Sequence, residues 1–227
     1  MSQLTRRAAL LVGGAVMLAR ARPALAEEEQ QRLVDRARLA LEEFLADTNF
    51  AKMRVYVQNA QAVLVFPELL KAGLIVGVEA GAGVMLVREE ASGSWSQPAF
   101  YDLYEGSIGL QVGGASTALV LTVMNRAAID KILTSKFKMG TDASVAAGPV
   151  GPGVGAPTTT RFGEDIYSFS RSKGLYAGLS LDGAAILPNN DWNAAYYGVE
   201  TSPARVLRGE AGGNTGSQRL RDTLGQF

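Results

Sequence analysis

From residue 27 to about residue 47 the apolar residues Leu33, Ala37, Leu41, Phe44 and Leu45 recur at spacings of three and four, with Glu28, Arg32, Asp35, Arg36, Glu42 and Glu43 largely elsewhere on the wheel. This spacing predicts an amphipathic helix. Thr48 or Asn49 can cap a second helix through Phe50, Met53 and Val57 to about Asn59, because a short side-chain acceptor satisfies first-turn amides. Beyond Gln61 the pattern changes to short β-branched and apolar runs broken by glycine. They are Ala62 to Phe66, Leu74 to Glu79, Val84 to Arg88, Ala99 to Tyr104, Ile108 to Val112 and Ala118 to Met124. These predict strands, with a short helical turn over Pro67 to Gly73 and turns at Ala91 to Ser94 and Glu105-Gly106. Connections this short favour antiparallel neighbours.

Asn125 caps the next predicted helix, through Ala128, Ile129, Ile132 and Leu133. Glycine or proline fills seven of the ten positions from Gly148 to Pro157, which excludes regular helix or central strand. Ile166 to Ser170 and Leu175 to Leu181 return to strand character, and Asp182-Gly183 marks a tight turn before Ala184 to Leu187. Short helices follow at Asn190-Asp191 and Ser202-Pro203, and Leu220, Leu224 and Phe227 share one face of a last helix. The G-L-x-x-G-apolar pattern at Gly73 to Val78 repeats at Gly174 to Leu179, as expected of curved hairpins. The fold class expected is α+β: one domain, a curved antiparallel sheet rolled towards a barrel, N-terminal amphipathic helices and short C-terminal ones.

The first 26 residues break this pattern. Arg6-Arg7, an uncharged apolar stretch from Ala8 to Ala19 and Ala24-Leu25-Ala26 are the three parts of a cleavable export signal in order. The stretch is shorter than the roughly 18 residues a membrane span needs. Paired arginines fit the twin-arginine type; a Sec signal with two adjacent arginines is the alternative. The organisation expected is a signal peptide over 1–26, a domain over 27–200, and a tail over 201–227 with a short helix packed on the domain. The destination expected is the periplasm or the exterior.

Composition narrows the chemistry. The 227 residues include no histidine and no cysteine, which removes imidazole acid–base catalysis, thiolate nucleophiles, disulfides and His or Cys metal sites. The 22 basic and 22 acidic side chains balance, and without residues 1–26 the count is 18 against 22, so no overall basic field gathers nucleic acid. Neither Gly81-Ala82-Gly83 nor the Gly148 to Gly155 loop leads into a phosphate-binding helix or a Gly-Lys-Ser/Thr. Gly178 to Asp182 lacks a nucleophile elbow's last glycine. Adjacent acids Glu89-Glu90 and Glu164-Asp165 point to opposite faces if they lie in strands. A non-enzyme without cofactor or metal is expected. The candidate chemistry is cationic: Lys136, Lys138, Arg161, Arg171 and Lys173 are the residues expected to meet a phosphate-bearing lipid head group. Aromatic residues around Trp95 to Tyr104 and Trp192 to Tyr197, or the first amphipathic helix, are the expected interfacial anchors.

Several blocks carry a family pattern: Val65-Phe66-Pro67 with Lys71-Ala72-Gly73, Gly81-Ala82-Gly83-Val84, Trp95 to Tyr101, Ser107 to Gly113 and Val123-Met124-Asn125. Others are Gly140 to Pro149, Ile166 to Ser170, Lys173 to Gly178 and Tyr196-Tyr197-Gly198. Together they resemble the SYLF domain over almost the whole chain after residue 26. The resemblance implies phosphoinositide and membrane binding in eukaryotic members, with actin binding and bundling in yeast-type regulators. The export signal and the absence of SH3 or FYVE modules in these 227 residues set it apart from those cytosolic proteins and argue against actin as partner. The reading from sequence is therefore an exported lipid-binding protein with anionic membrane lipid as partner. Its alternative is a periplasmic structural or protein-interaction module.

Overall fold

A computed structural model describes residues 27–73, 76–108, 116–134, 136–151, 162–172 and 181–227. Helix α1 occupies residues 27–46, followed by a 3-10 turn at Thr48–Phe50 and α2 at Met53–Asn59. Strands β1 (Ala62–Gly73), β2 (Val76–Val87), β3 (Ala99–Ile108) and β4 (Ser116–Val123) come next, then α3 (Arg126–Ile132). Short strands β5 (Phe137–Lys138) and β6 (Val145–Ala147) lead to β7 (Ile166–Ser172) and β8 (Ala185–Pro188). Helices α4 (Asn190–Tyr197), α5 (Pro203–Leu207) and α6 (Gln218–Leu224) complete the order.

The strands form one sheet in the order β5-β8-β3-β2-β1-β4-β7-β6. Its two edge strands, β5 and β6, are neighbours in sequence, and the turn between them is pinned by a bridge from Met139 to Ala143. A sheet whose edges are tied by so short a connection must curl into a half-barrel. The inner face gathers Phe137, Ile186, Leu103, Met85, Leu64, Leu121 and Ile166 into one buried cluster, with α3 and α5 supplying Ile129, Ile132 and Val206. The outer face packs Val63, Val65, Val84, Phe100, Val120 and Phe169 against α1, α2, α4 and α6. The expected α+β class and curled sheet are present. The strand pairings are antiparallel except β6 with β7, which is parallel, so the sheet is mixed.

The expected break at Pro67 to Gly73 is absent: β1 runs through it. An extra residue on β1 between Val65 and Leu70 makes a bulge against β2, and the same bulge shifts the pairing with β4. Proline fits there because a bulge leaves its missing N–H without consequence. Likewise Gly81-Ala82-Gly83 does not divide two strands but lies within β2, since a Cβ on Gly83 would sit 2.4 Å from the Phe66 ring. Those glycines admit Phe66 and Leu69 from the bulged strand. Glu105-Gly106 is not a turn either; β3 continues to Ile108 by pairing with β2. Residues 109–112 and 175–180, expected as strand, and the loop beyond 151 lie outside the described residues.

The caps follow the sequence closely. Asn125 accepts the Ala128 amide at the start of α3. Asn189, one residue earlier than expected, caps α4 by accepting the Trp192 amide, and Gly198 ends it at φ 68°. Asp47 rather than Thr48 or Asn49 opens the 3-10 turn, accepting the Asn49 amide. The wholly buried Asn193 fastens α4 to β3. Its Oδ1 accepts the Phe100 amide at 3.0 Å and its Nδ2 donates to the Phe100 carbonyl at 3.2 Å.

Candidate functional site

The sequence-derived cations do not form a cluster among the described residues. Lys136 and Lys138 are exposed at the β5 edge, where Asp142 accepts the Lys138 backbone amide at 2.6 Å and the Asp142 carbonyl accepts from Lys131. Arg171 lies five residues along β7 from Ile166, the β6-paired end nearest that turn, or about 17 Å away. Its guanidinium is engaged, paired with Glu43 and 4.0 Å from Asp47, so it fastens α1 to β7. Arg161 and Lys173 lie outside the described residues, as does the export signal at 1–26.

Apart from the exposed Tyr104, the expected interfacial anchors are packed into the fold. The apolar stripe of α1, namely Leu33, Val34, Ala37, Leu41 and Phe44, is buried against the outer face of the sheet. Trp95, Phe100, Tyr101 and Tyr196 are buried as well. The Tyr197 hydroxyl donates to the Pro98 carbonyl at 2.6 Å and that of Tyr196 to Gln31 Oε1 at 3.1 Å. Trp95 carries the Arg88 guanidinium 4.4 Å above its ring, and Arg88 donates to the Val57 and Ala60 carbonyls at the end of α2. Burial lowers the Arg88 pKa from its ordinary value.

A different surface emerges from the register. Lys138 pairs with Ala185, Ala185 with Tyr104, Tyr104 with Ala80, Ala80 with Leu70 and Leu70 with Ser116. Residues directly opposed across antiparallel strands share a face, so these six make one row across the outside of the sheet. The helical layer stops beside it: Arg36 of α1 donates to Glu68 at 3.0 Å and Ser116 donates to the same carboxylate at 3.2 Å. Past that line Leu70, Val78 and Tyr104 are left 55%, 51% and 46% exposed. Lys138 stands about 10 Å, two strand spacings, from Tyr104 at the end of the row.

Behind the strip, on the inner face, the neighbours of these three residues are charged. Lys71 is opposite Glu79, and Glu79 is opposite Glu105. Both carboxylates are buried. Burial raises the Glu79 pKa, against the Lys71 charge and a hydrogen bond with Thr117. Burial and then the Glu79 charge push Glu105 up to about 7, with Lys71 opposing. Sequence reasoning weighed acids adjacent in the chain and missed this pair, which is 26 residues apart. The signal available was the dipeptides Leu70-Lys71, Val78-Glu79 and Tyr104-Glu105, each an apolar residue before a charged one, but without register they could not be aligned. Asp165 has the opposite environment. Hydrogen bonds from the Ser144 amide and hydroxyl and from Asn125 hold its carboxyl below the usual range.

Fold and surface thus define a single-domain α+β protein on a curled mixed sheet, with an apolar strip at one end that no helix among the described residues covers. Residues 104–227 match the family model described as Ysc84, Las17-binding protein actin regulator, and the chain belongs to that family. It is 31% identical to Protein YSC84 of Saccharomyces cerevisiae over 68% of this chain and 33% of that protein. It is 30% identical to the SH3 domain-containing protein PJ696.02 of Schizosaccharomyces pombe over 65% of this chain and 35% of the relative. With the SH3 domain-containing YSC84-like protein 1 of Xenopus laevis it shares 27% identity over 75% of this chain and 51% of the relative. The chain thus spans a third to a half of these curated relatives. The SYLF resemblance read from the sequence blocks is this family relationship, and its relatives are named as binding and regulatory proteins.

Proposed function

We propose that the chain is an exported protein that associates peripherally with phospholipid, residues 1–26 acting as its removable signal. The observation that carries this reading is the uncovered strip of Leu70, Val78 and Tyr104 in line with Lys138. An apolar surface flanked by a lysine suits the boundary between acyl chains and phosphates, where tyrosine also partitions. No helix among the described residues is long and apolar enough to cross a membrane. Lys136 and Lys138 remain the head-group candidates; Arg161 and Lys173 enter on sequence grounds alone, and Arg171 is reassigned to holding α1. Such binding requires no catalytic step.

Flotation of the full chain with anionic and zwitterionic vesicles across a salt series tests the reading. Salt-sensitive flotation on anionic vesicles is expected, because screening shortens the reach of the lysines. Residues 1–26 are common to all variants, so Lys138→Gln and Tyr104→Ser should each reduce it while Arg171→Gln leaves it unchanged. A second reading, a protein-interaction module, draws on the family description, which names a protein-binding role. Wild-type protein that never floats, but retains a stoichiometric protein partner, would replace the lipid reading with that one.

A further inference from the structure

The uncovered end of the sheet is built inside out. Leu70, Val78 and Tyr104 face outward, and the next residue on each strand, Lys71, Glu79 and Glu105, belongs to the inner face with Leu69, Leu103 and Met85. A sheet with one face in water alternates the other way, apolar in and polar out. Apolar outside and charged inside is the pattern of strands whose outside meets hydrocarbon. The inner charges are also incomplete: Glu105, 8% exposed, has a buried Oε2 without a hydrogen-bond partner among the described residues. Glu79, directly opposite, is an acceptor that cannot satisfy it unless one of the two carboxyls carries a proton. Like charges facing each other across strands repel.

The charged groups that act on this pair among the described residues are Lys71 from β1 and the two glutamates themselves, from β2 and β3. β4 contributes the Thr117 hydroxyl, which lies 3.4 Å from the Ser172 hydroxyl of β7, and β3 also carries the buried Tyr101 phenol on this face. We propose that this inverted end is the part of the molecule that inserts at the acyl boundary of an anionic bilayer, and that a proton shared by Glu79 and Glu105 permits the insertion. The proposal rests on the lipid-binding reading and adds its site and its regulation. With one proton, Lys71, one carboxylate and one carboxylic acid sum to zero charge, and the acid can donate to the carboxylate. Release of that proton to water leaves two facing carboxylates against one ammonium. The end then carries a net negative charge towards an anionic surface and its strands repel, so insertion becomes costlier as pH rises past neutrality.

The test is flotation of the full chain with vesicles of equal phosphatidylglycerol and phosphatidylcholine at about pH 6 and about pH 8.5, with carboxyl-carbon NMR of the protein in solution alongside. Wild-type affinity should fall about thirtyfold between these pH values, the effect of one required proton held with a pKa of about 7. Glu105→Gln should bind at both as wild type does at the lower pH. A variant with Leu70, Val78 and Tyr104 all changed to Asn should lose binding at both while keeping the wild-type circular dichroism. The NMR titration should place one carboxyl of the pair near neutrality. Three results would overturn the proposal: strip-dependent binding that ignores pH, both glutamates titrating in the ordinary carboxylate range, or a strip variant that floats normally. In the first two the lipid reading itself stands and in the third it keeps lipid binding but loses the strip as its site, whereas wild type that stays at the bottom at every pH removes that reading too. A concentration-dependent dimer abolished in the strip variant would assign the surface to a second copy of the chain instead.

Discussion

The helix-covered half of the sheet and its uncovered end obey the same strand geometry with opposite results. In the covered half, Ala62 to Phe66, Val84 to Val87 and Leu119 to Val123 are buried on both faces, so their sequences read as unbroken apolar runs. At the end, past Glu68 and Ser116, no helix among the described residues covers the outer face, and apolar residues alternate with charged ones. Burial in the first region comes from packing on two sides. The second buries the carboxyls of Glu79 and Glu105 and exposes its apolar side chains, which is costly in water. On the lipid reading proposed above, stability and binding are thus divided between two halves of the same strands.

Phe66→Ala should give the largest contrast. It removes a ring that fills the space left by Gly83, so a loss of about 3–5 kcal/mol in denaturant unfolding is expected. A loss below about 1 kcal/mol would mean that the covered half is not where stability resides. Glu105 gives the next contrast. Its native pKa of about 7 exceeds the ordinary carboxylate value, so the folded state binds more protons than the unfolded state between those limits. Stability should then fall as pH rises from about 4.5 to 7 and level off above, by about 1–3 kcal/mol, and Glu105→Gln should flatten the slope. Urea midpoints at pH 5 and pH 8 measure it, and equal slopes in both proteins would remove Glu105 as the cause.

Asp165 carries the opposite sign. Because Ser144 and Asn125 hold its carboxyl below the usual range, its contribution is present at neutral pH and lost as pH falls through the native value. Asp165→Ala should cost about 1–2 kcal/mol at neutral pH and progressively less in acid, read from thermal melts. The smallest effect belongs to the uncovered end: Tyr104→Ser should change stability by about 0.5 kcal/mol or less. A large loss of folding there would show that Tyr104 is held in a core after all, and would merge the two regions.

The legible features were local ones. The α1 stripe, the Asn125 cap, the Asp182-Gly183 turn and the last helix with Leu220 and Leu224 depend on residues close together in the chain. Pro67 and the glycines of β2 misled because their ordinary meaning is a break. Here a bulge and a ring from the neighbouring strand absorb them. The proposed site was legible only in part. Lys138 belongs to the strip's row, but Arg171 was taken by Glu43 and Asp47, partners that no sequence spacing connects to it.

The sequence by itself determined the family, the α+β class, most element positions and the absence of histidine and cysteine chemistry. Periodicity, capping and composition act over a few residues and are written in the chain. Only the tertiary structure decided which strand faces the helices leave bare, and that Lys71, Glu79 and Glu105 stand in one row behind Leu70, Val78 and Tyr104. Cross-strand register causes this, because it joins distant residues and a shift of one position would have turned every one of these side chains to the other face.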